Sequence, residues 1–232
     1  MLMRTAKKSR PDCRVVSDST DPLLPAVREL YEIALDPEER VPWIWLERSF
    51  GADRTNRHLV EATEDRALAG FCFALYLPGY GGYVSYLATA ERFRRRGVGA
   101  RLFAHALELL NRDAEAAGES LPFVIWESRE PEPHEDGTIW VARLKLFDRV
   151  GGRAIDGVTL HSPNWNDASL PEVPLKLFMK PCDGSEFDSE RTRAAVDGLL
   201  RRVYRAEPGG ETYDRTLTPE CRPRLIPALS CR

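Results

Sequence analysis

The run Phe93-Arg94-Arg95-Arg96-Gly97-Val98-Gly99-Ala100 sets the tightest limit on how this chain can fold. It separates an apolar, tyrosine-bearing stretch, Tyr83 to Thr89, from a segment of clear helical periodicity. In that segment Val98, Leu102, Phe103, Ala106, Leu107, Leu109 and Leu110 fall on one side, and Arg101, His105, Glu108 and Arg112 on the other. Strand, basic glycine loop, helix is an arrangement that binds phosphate. The first helical N–H groups have no intrahelical partner and carry the positive end of the macrodipole. Gly97 and Gly99 lack a Cβ, so a pyrophosphate can lie against bare backbone. Arg94, Arg95 and Arg96 add formal charge. The loop has neither the Lys-Ser/Thr pair of a P-loop nor the third glycine of a dinucleotide fingerprint.

The elements around the loop follow in a readable order. Leu23, Val27, Leu30, Tyr31 and Ala34 predict a helix ended by Pro37, and Trp43, Ile44, Leu46 and Phe50 a second short one entered through Pro42. Arg57 to Thr63, Ala67 to Leu77 and Tyr83 to Thr89 read as three strands of an antiparallel meander. The helix after the loop ends near Gly118, a plausible C-cap. Phe123 to Trp126 reads as a fully buried strand parallel to the one before the helix. An acidic, proline-rich loop, Ser128 to Gly137, leads to a helix over Thr138 to Arg149 with Trp140, Leu144 and Phe147 on one face. Ala154 to His161 and Leu175 to Lys180 are strands. In the second, Leu175, Leu177 and Met179 alternate with Lys176, Phe178 and Lys180, which predicts one wetter face. Residues 1–12 read as a flexible basic tail, 13–181 as the domain, and 182–232 as an extension. That extension holds an amphipathic helix (Ala195, Val196, Leu199, Leu200, Val203, Tyr204) and an irregular remainder. The helix is too short to bury a core of its own, so it packs on the domain or on a second subunit.

Arg94-x-x-Gly97-x-Gly99 after a strand resembles the acetyl-CoA loop of the GNAT superfamily, the Gcn5-related N-acetyltransferases. Leu146-Phe147-Asp148-Arg149-Val150-Gly151-Gly152 resembles the second signature, which usually reads Leu-Tyr-Glu-Arg-Leu-Gly-Phe. The two lie in the superfamily's order, and the resemblance covers roughly Val15 to Pro181. It implies an α/β (α+β) fold: a mixed, mostly antiparallel sheet of six to seven strands flanked by helices, splayed into an acyl-CoA cleft. It implies transfer of an acetyl group from acetyl-CoA, as co-substrate and without a metal, to an amine of a small molecule or peptide. Leu87, Ala88 and Thr89 then bond the pantetheine arm and the thioester carbonyl. The amides and side chains of Arg94, Arg95, Arg96, Gly97, Val98, Gly99 and Ala100 hold the pyrophosphate, and Phe147 lies beside the thiol. Phe147 stands where the superfamily often has a tyrosine that protonates the CoA thiolate. Phenylalanine cannot do so. Either another group donates, or the thiolate leaves unaided, which its modest pKa permits.

The amine must lose a proton, which a carboxylate or a chain of waters takes. Glu127 ends an otherwise apolar strand, where burial raises a carboxyl pKa, and is the candidate base; a plain surface carboxylate is the alternative. Tyr83 and Tyr86 lie on the neighbouring strand, with Tyr86 the candidate partner in catalysis and packing the alternative for both. Trp43, Trp45, Tyr80, Glu130, Glu132, Glu135 and Asp136 sit in segments that should form the acceptor pocket. Aromatics beside carboxylates suit a cationic amine, while tryptophans in a core and a solvated acidic loop are the bland reading.

The net charge of −3 argues against a nucleic-acid partner. A binder using Arg92, Arg94, Arg95, Arg96 and Arg101 is the weakest alternative. An acyl-CoA sensor or scaffold without turnover is the stronger one, because of Phe147. No apolar run approaches the roughly 20 residues that span a bilayer, so no membrane partner is expected. The basic N-terminus has no apolar core of a signal peptide. The 5 cysteines are odd in number and show no zinc spacing, which fits reduced thiols in the cytoplasm. A homodimer is the default that the resemblance implies.

Overall fold

The computed structural model describes residues 11–48, 55–167 and 169–231. An eight-stranded sheet runs in the order β1-β2-β3-β4-β5-β7-β6-β8. Its strands are β1 (Asp12–Val15), β2 (Arg57–Glu64), β3 (Ala67–Leu77), β4 (Gly81–Thr89), β5 (Phe123–Ser128), β6 (Arg153–Ser162), β7 (Val173–Pro181) and β8 (Arg224–Pro227). The helices are α1 (Leu24–Ala34), α2 (Trp43–Glu47), α3 (Val98–Ala116), α4 (Thr138–Arg149), α5 (Ser189–Arg202) and α6 (Glu211–Thr216). β2, β3 and β4 form the antiparallel meander, and β4 and β5 are parallel. The strand count is eight rather than six to seven, because β1 and β8 are added at the two edges. β8 and α6 lie in the stretch read as irregular. Phe50, assigned to the second helix by its sequence, lies outside the described residues, as do residues 1–10 of the expected tail.

The apolar face of α3 buries Leu102, Phe103, Ala106 and Leu110 on one face of the sheet, beside α4. Each of the Leu and Phe side chains contributes roughly 1.5–3 kcal/mol by leaving water. The helix ends at Gly118, with φ of +73°. The Glu119 N–H bonds Ala114 O at 2.8 Å and the Gly118 N–H bonds Glu115 O at 3.0 Å, a Schellman closure. The other face is covered by α1 and α2 over β3 and β4, and by α5 over β5 and β7. Phe178 of β7 is therefore fully buried on the α4 side, and the expected wetter face of that strand is covered.

Two features open the middle of the sheet. β4 and β5 pair only at Gly82↔Val124 and Tyr83↔Ile125, and then part. β4 also bulges: Phe73 faces Tyr86 and Ala74 faces Val84, leaving Ser85 without a partner on β3. A regular strand would send Tyr83 and Tyr86 to opposite faces. The bulge shifts the alternation by one, so both rings pack on the α1/α5 side.

Candidate active site

The parting strands open onto a cleft of about 1170 Å³. β4 contributes Leu87, Ala88 and Thr89 to its walls, the loop and α3 contribute Arg94, Arg95, Gly97, Val98, Gly99 and Ala100, β5 contributes Trp126, Glu127 and Ser128, and α4 contributes Phe147. Gly97 is the N-cap of α3 and sits in the left-handed region at φ of +85°, and no side chain caps the helix. A Cβ built on Gly97 would meet nothing within 4 Å. The first turn of α3 thus presents unpaired N–H groups next to open space, a ready anion site. Arg96 departs from the set that sequence brings together. Its guanidinium bonds buried Glu64 at 3.0 Å and lies over the Phe93 ring, and it does not line the cleft. Gly99 serves packing as well, since a Cβ there would lie 3.1 Å from Leu146.

Glu127 sits where the strands diverge. Its Oε1 accepts from the Tyr83 hydroxyl at 2.5 Å and from the Tyr204 hydroxyl at 2.9 Å. Among the described residues its Oε2 reaches no solvent and has no hydrogen-bond partner. Burial pushes the carboxyl up from 4.5 to about 7, against the lowering effect of the two tyrosine hydrogen bonds; the nearby Glu39 carboxylate adds to the rise. Burial also holds the Tyr83 and Tyr204 hydroxyls well above 10, so both stay protonated and donate.

Tyr86 lines the cleft too, but its hydroxyl is committed to the α1–α2 loop. It accepts from the Val41 N–H at 3.0 Å and donates to Glu39 O at 3.3 Å. The same loop is tied across the cleft mouth. Arg129 binds Asp36 at 3.0 Å, Glu39 at 3.2 Å and Glu135 at 3.0 Å. Of the residues expected in an acceptor pocket, Trp45 and Asp136 line the cleft. Trp43 instead packs on Tyr31, with ring centroids 5.6 Å apart. Tyr80 lies elsewhere: its hydroxyl donates to Ala195 O of α5 at 2.5 Å and its ring packs on Phe123.

Sequence reasoning left three cleft residues without a role. Trp165, from the β6–β7 loop, stands between Trp45 at 5.9 Å and Tyr204 at 6.2 Å, centroid to centroid. The buried Trp126 N–H has no hydrogen-bond partner among the described residues. Tyr204 reads in the sequence as one more apolar position of an amphipathic helix, and nothing in that pattern signals its hydrogen bond.

Residues 24–143, just over half of the chain, match the family described as Acetyltransferase (GNAT) family. The chain belongs to the GNAT acetyltransferase family. Solved structures agree on the fold. A GNAT-family protein from Bacteroides thetaiotaomicron superposes with a TM-score of 0.62 at 19% identity, over 84% of this chain and 99% of that one. Ard1 from Thermoplasma volcanium gives 0.51 at 17%, over 74% and 97%. IAA acetyltransferase from Bacillus cereus gives 0.50 at 13%, over 75% and 100%. No curated protein matches the chain. GNAT membership assigns it to acetyl transfer in general terms. Among the described residues no three His, Cys, Asp or Glu side chains come together to hold a metal, and no helix is long and apolar enough to cross a membrane.

Proposed function

We propose that the protein is an N-acetyltransferase that moves the acetyl group of acetyl-CoA to the primary amine of a small molecule or peptide, with Glu127 as the base. One observation carries the reading: a carboxyl set at about 7, with one oxygen uncommitted, lines the same cleft as an uncapped helix N-terminus. A base with a pKa near neutral pH is about half ionised there, and that ionised fraction takes a proton from an ammonium.

The residues present fit acetyl-CoA. The amides of Val98, Gly99 and Ala100 and the side chains of Arg94 and Arg95 would hold its pyrophosphate. Where β4 leaves β5, the backbone of Leu87 to Thr89 offers hydrogen bonds to the pantetheine arm, and the Trp126 N–H is a further donor. When bound, acetyl-CoA supplies the activated acyl group. The chain orients the amine against it, which supplies much of the rate; as the C–N bond forms and the C–S bond breaks, Glu127 Oε2 would receive the amine's proton and the CoA sulfur would leave as a thiolate, which its modest pKa permits. Tyr86 holds the Glu39–Val41 backbone over the cleft, which makes it a positioning residue rather than an acid.

Isothermal titration of acetyl-CoA into wild type, Arg95→Ala, Arg96→Ala and Ala100→Glu tests the donor half. Ala100 lies in the first turn of α3 and bounds the cleft, so a carboxylate there meets the pyrophosphate. Affinity should fall roughly tenfold or more in Ala100→Glu, clearly in Arg95→Ala, and least in Arg96→Ala. No binding by the wild type would sink the reading. CoA release over a panel of primary amines then separates transfer from sensing, because a sensor binds acetyl-CoA and releases none.

A further inference from the structure

The segment beyond β7 is more than a cover for the sheet. Its helix, α5, is fixed in place by the β3–β4 loop. Tyr80 packs its ring against Gly198, so closely that a Cβ there would overlap it. The Tyr80 hydroxyl donates to Ala195 O at 2.5 Å, and the Arg202 guanidinium donates to Pro78 O at 2.8 Å while lying over the Tyr80 ring. Ala195, Val196, Leu199 and Leu200 are buried beneath. The chain then turns sharply. The Tyr204 N–H bonds Leu199 O at 3.3 Å, the Ala206 N–H bonds Leu200 O at 3.0 Å, and Arg205 holds a left-handed φ of +55°. A non-glycine residue in that region is costly, of order 1 kcal/mol or more, and persists only where surrounding contacts demand it. The turn delivers Tyr204 to Glu127.

We propose that Tyr204 is a positioning residue of the active site: with Tyr83 it occupies Glu127 Oε1, and so leaves Oε2 as the one oxygen that takes the substrate proton. This rests on Glu127 being the base. Two donors on one oxygen fix the carboxyl plane and hold the charged form. Without them burial alone would carry the carboxyl further up, and less of it would be ionised at neutral pH. The groups that face Glu127 are Tyr83 and Tyr86 from β4, Tyr204 after α5, and Glu39 from the α1–α2 loop, with Tyr80 further off. Arg143 also lines the cleft, but its guanidinium donates to Ser128 Oγ at 3.1 Å; removing the Tyr204 hydroxyl therefore takes away one of the two donors to Glu127 Oε1.

Tyr204→Phe keeps the ring and deletes the bond. Side-chain carbonyl NMR of the protein without substrates should show the Glu127 titration midpoint rising by about one pH unit. An unchanged midpoint overturns the proposal whether or not the protein is an acetyltransferase. With acetyl-CoA and an accepted amine, the midpoint of the kcat/KM–pH profile should rise by the same amount. A lower plateau with an unmoved midpoint would mark Tyr204 as merely structural. In a Glu127→Gln background, Tyr204→Phe should change kcat/KM no further; an equal loss in both backgrounds would also overturn it. Gly198→Ala pushes α5 off Tyr80 and should move the NMR midpoint in the same direction. If wild type transfers acetyl to no amine while the NMR midpoint still moves with Tyr204→Phe, the function reading fails and the Tyr204–Glu127 coupling stands.

Discussion

Replacing Glu127 by glutamine isolates the free energy of keeping a carboxylate at the fork of the sheet. Burial lifts its pKa from 4.5 to about 7. The folded protein therefore binds this proton more tightly than the unfolded chain does. Between those two values the unfolded state carries fewer protons, so stability falls as pH rises from 4.5, and the loss is complete above 7. The span amounts to about 3 kcal/mol between pH 4.5 and pH 8.5. Glutamine keeps the acceptor for Tyr83 and Tyr204 but does not titrate. Any cost of its buried NH2 is the same at both pH values and cancels in the comparison. Urea unfolding of wild type and Glu127→Gln at pH 4.5 and 8.5 measures the difference. Wild type should lose about 2–3 kcal/mol relative to the variant on going to pH 8.5. An equal difference at both pH values would mean that Glu127 titrates as a solvated carboxylate, and the cleft would then have no tuned base.

Two further outcomes follow from packing and charge. An alanine Cβ at Gly152 would stand 2.5 Å from the Trp126 ring and 3.0 Å from Phe147 O, so Gly152→Ala should cost about 1–3 kcal/mol; an unchanged melting temperature would show that the α4 terminus packs differently. Arg14 contacts Asp21 at 2.7 Å and fully buried Glu61 at 2.5 Å. Arg14→Met should destabilise by about 2–3 kcal/mol at pH 7. The deficit should shrink toward pH 4, because burial already holds the Glu61 carboxyl above its ordinary value and the protonated acid needs no cation. A deficit that is constant with pH would mean that Arg14 acts through packing alone.

What the sequence disclosed depends on the range of the forces involved. The glycine loop, the long amphipathic α3 and the meander of β2 to β4 are local patterns, and periodicity finds them. The parallel β5 followed from its apolar run and the helix before it. β8 did not, because Arg224–Pro227 ends in a proline and follows another, and its pairing with Arg153 to Asp156 is decided some seventy residues away. The Ser85 bulge has no local signature either, yet it alone puts Tyr83 and Tyr86 on one face. The glycine-rich loop around Tyr80 suggests an exposed pocket residue, yet its ring packs on Gly198 of α5, a contact no local pattern announces. Arg96 looks like its two neighbours in sequence, and Glu64, thirty-two positions earlier, decides where it points.

Because Tyr204 follows the glycine loop by more than a hundred positions, the two halves of the site are not made at the same time. During synthesis the loop and α3 emerge first, and they carry everything needed to hold an anion. Glu127 comes next, with Tyr83 already present and its second donor still inside the ribosome. The carboxyl gains its final character only when α5 closes on Tyr80 and turns. If Glu127 is the base, as we propose, the anion site is therefore synthesised before the base is complete, and docking of the last helix sets its final proton affinity.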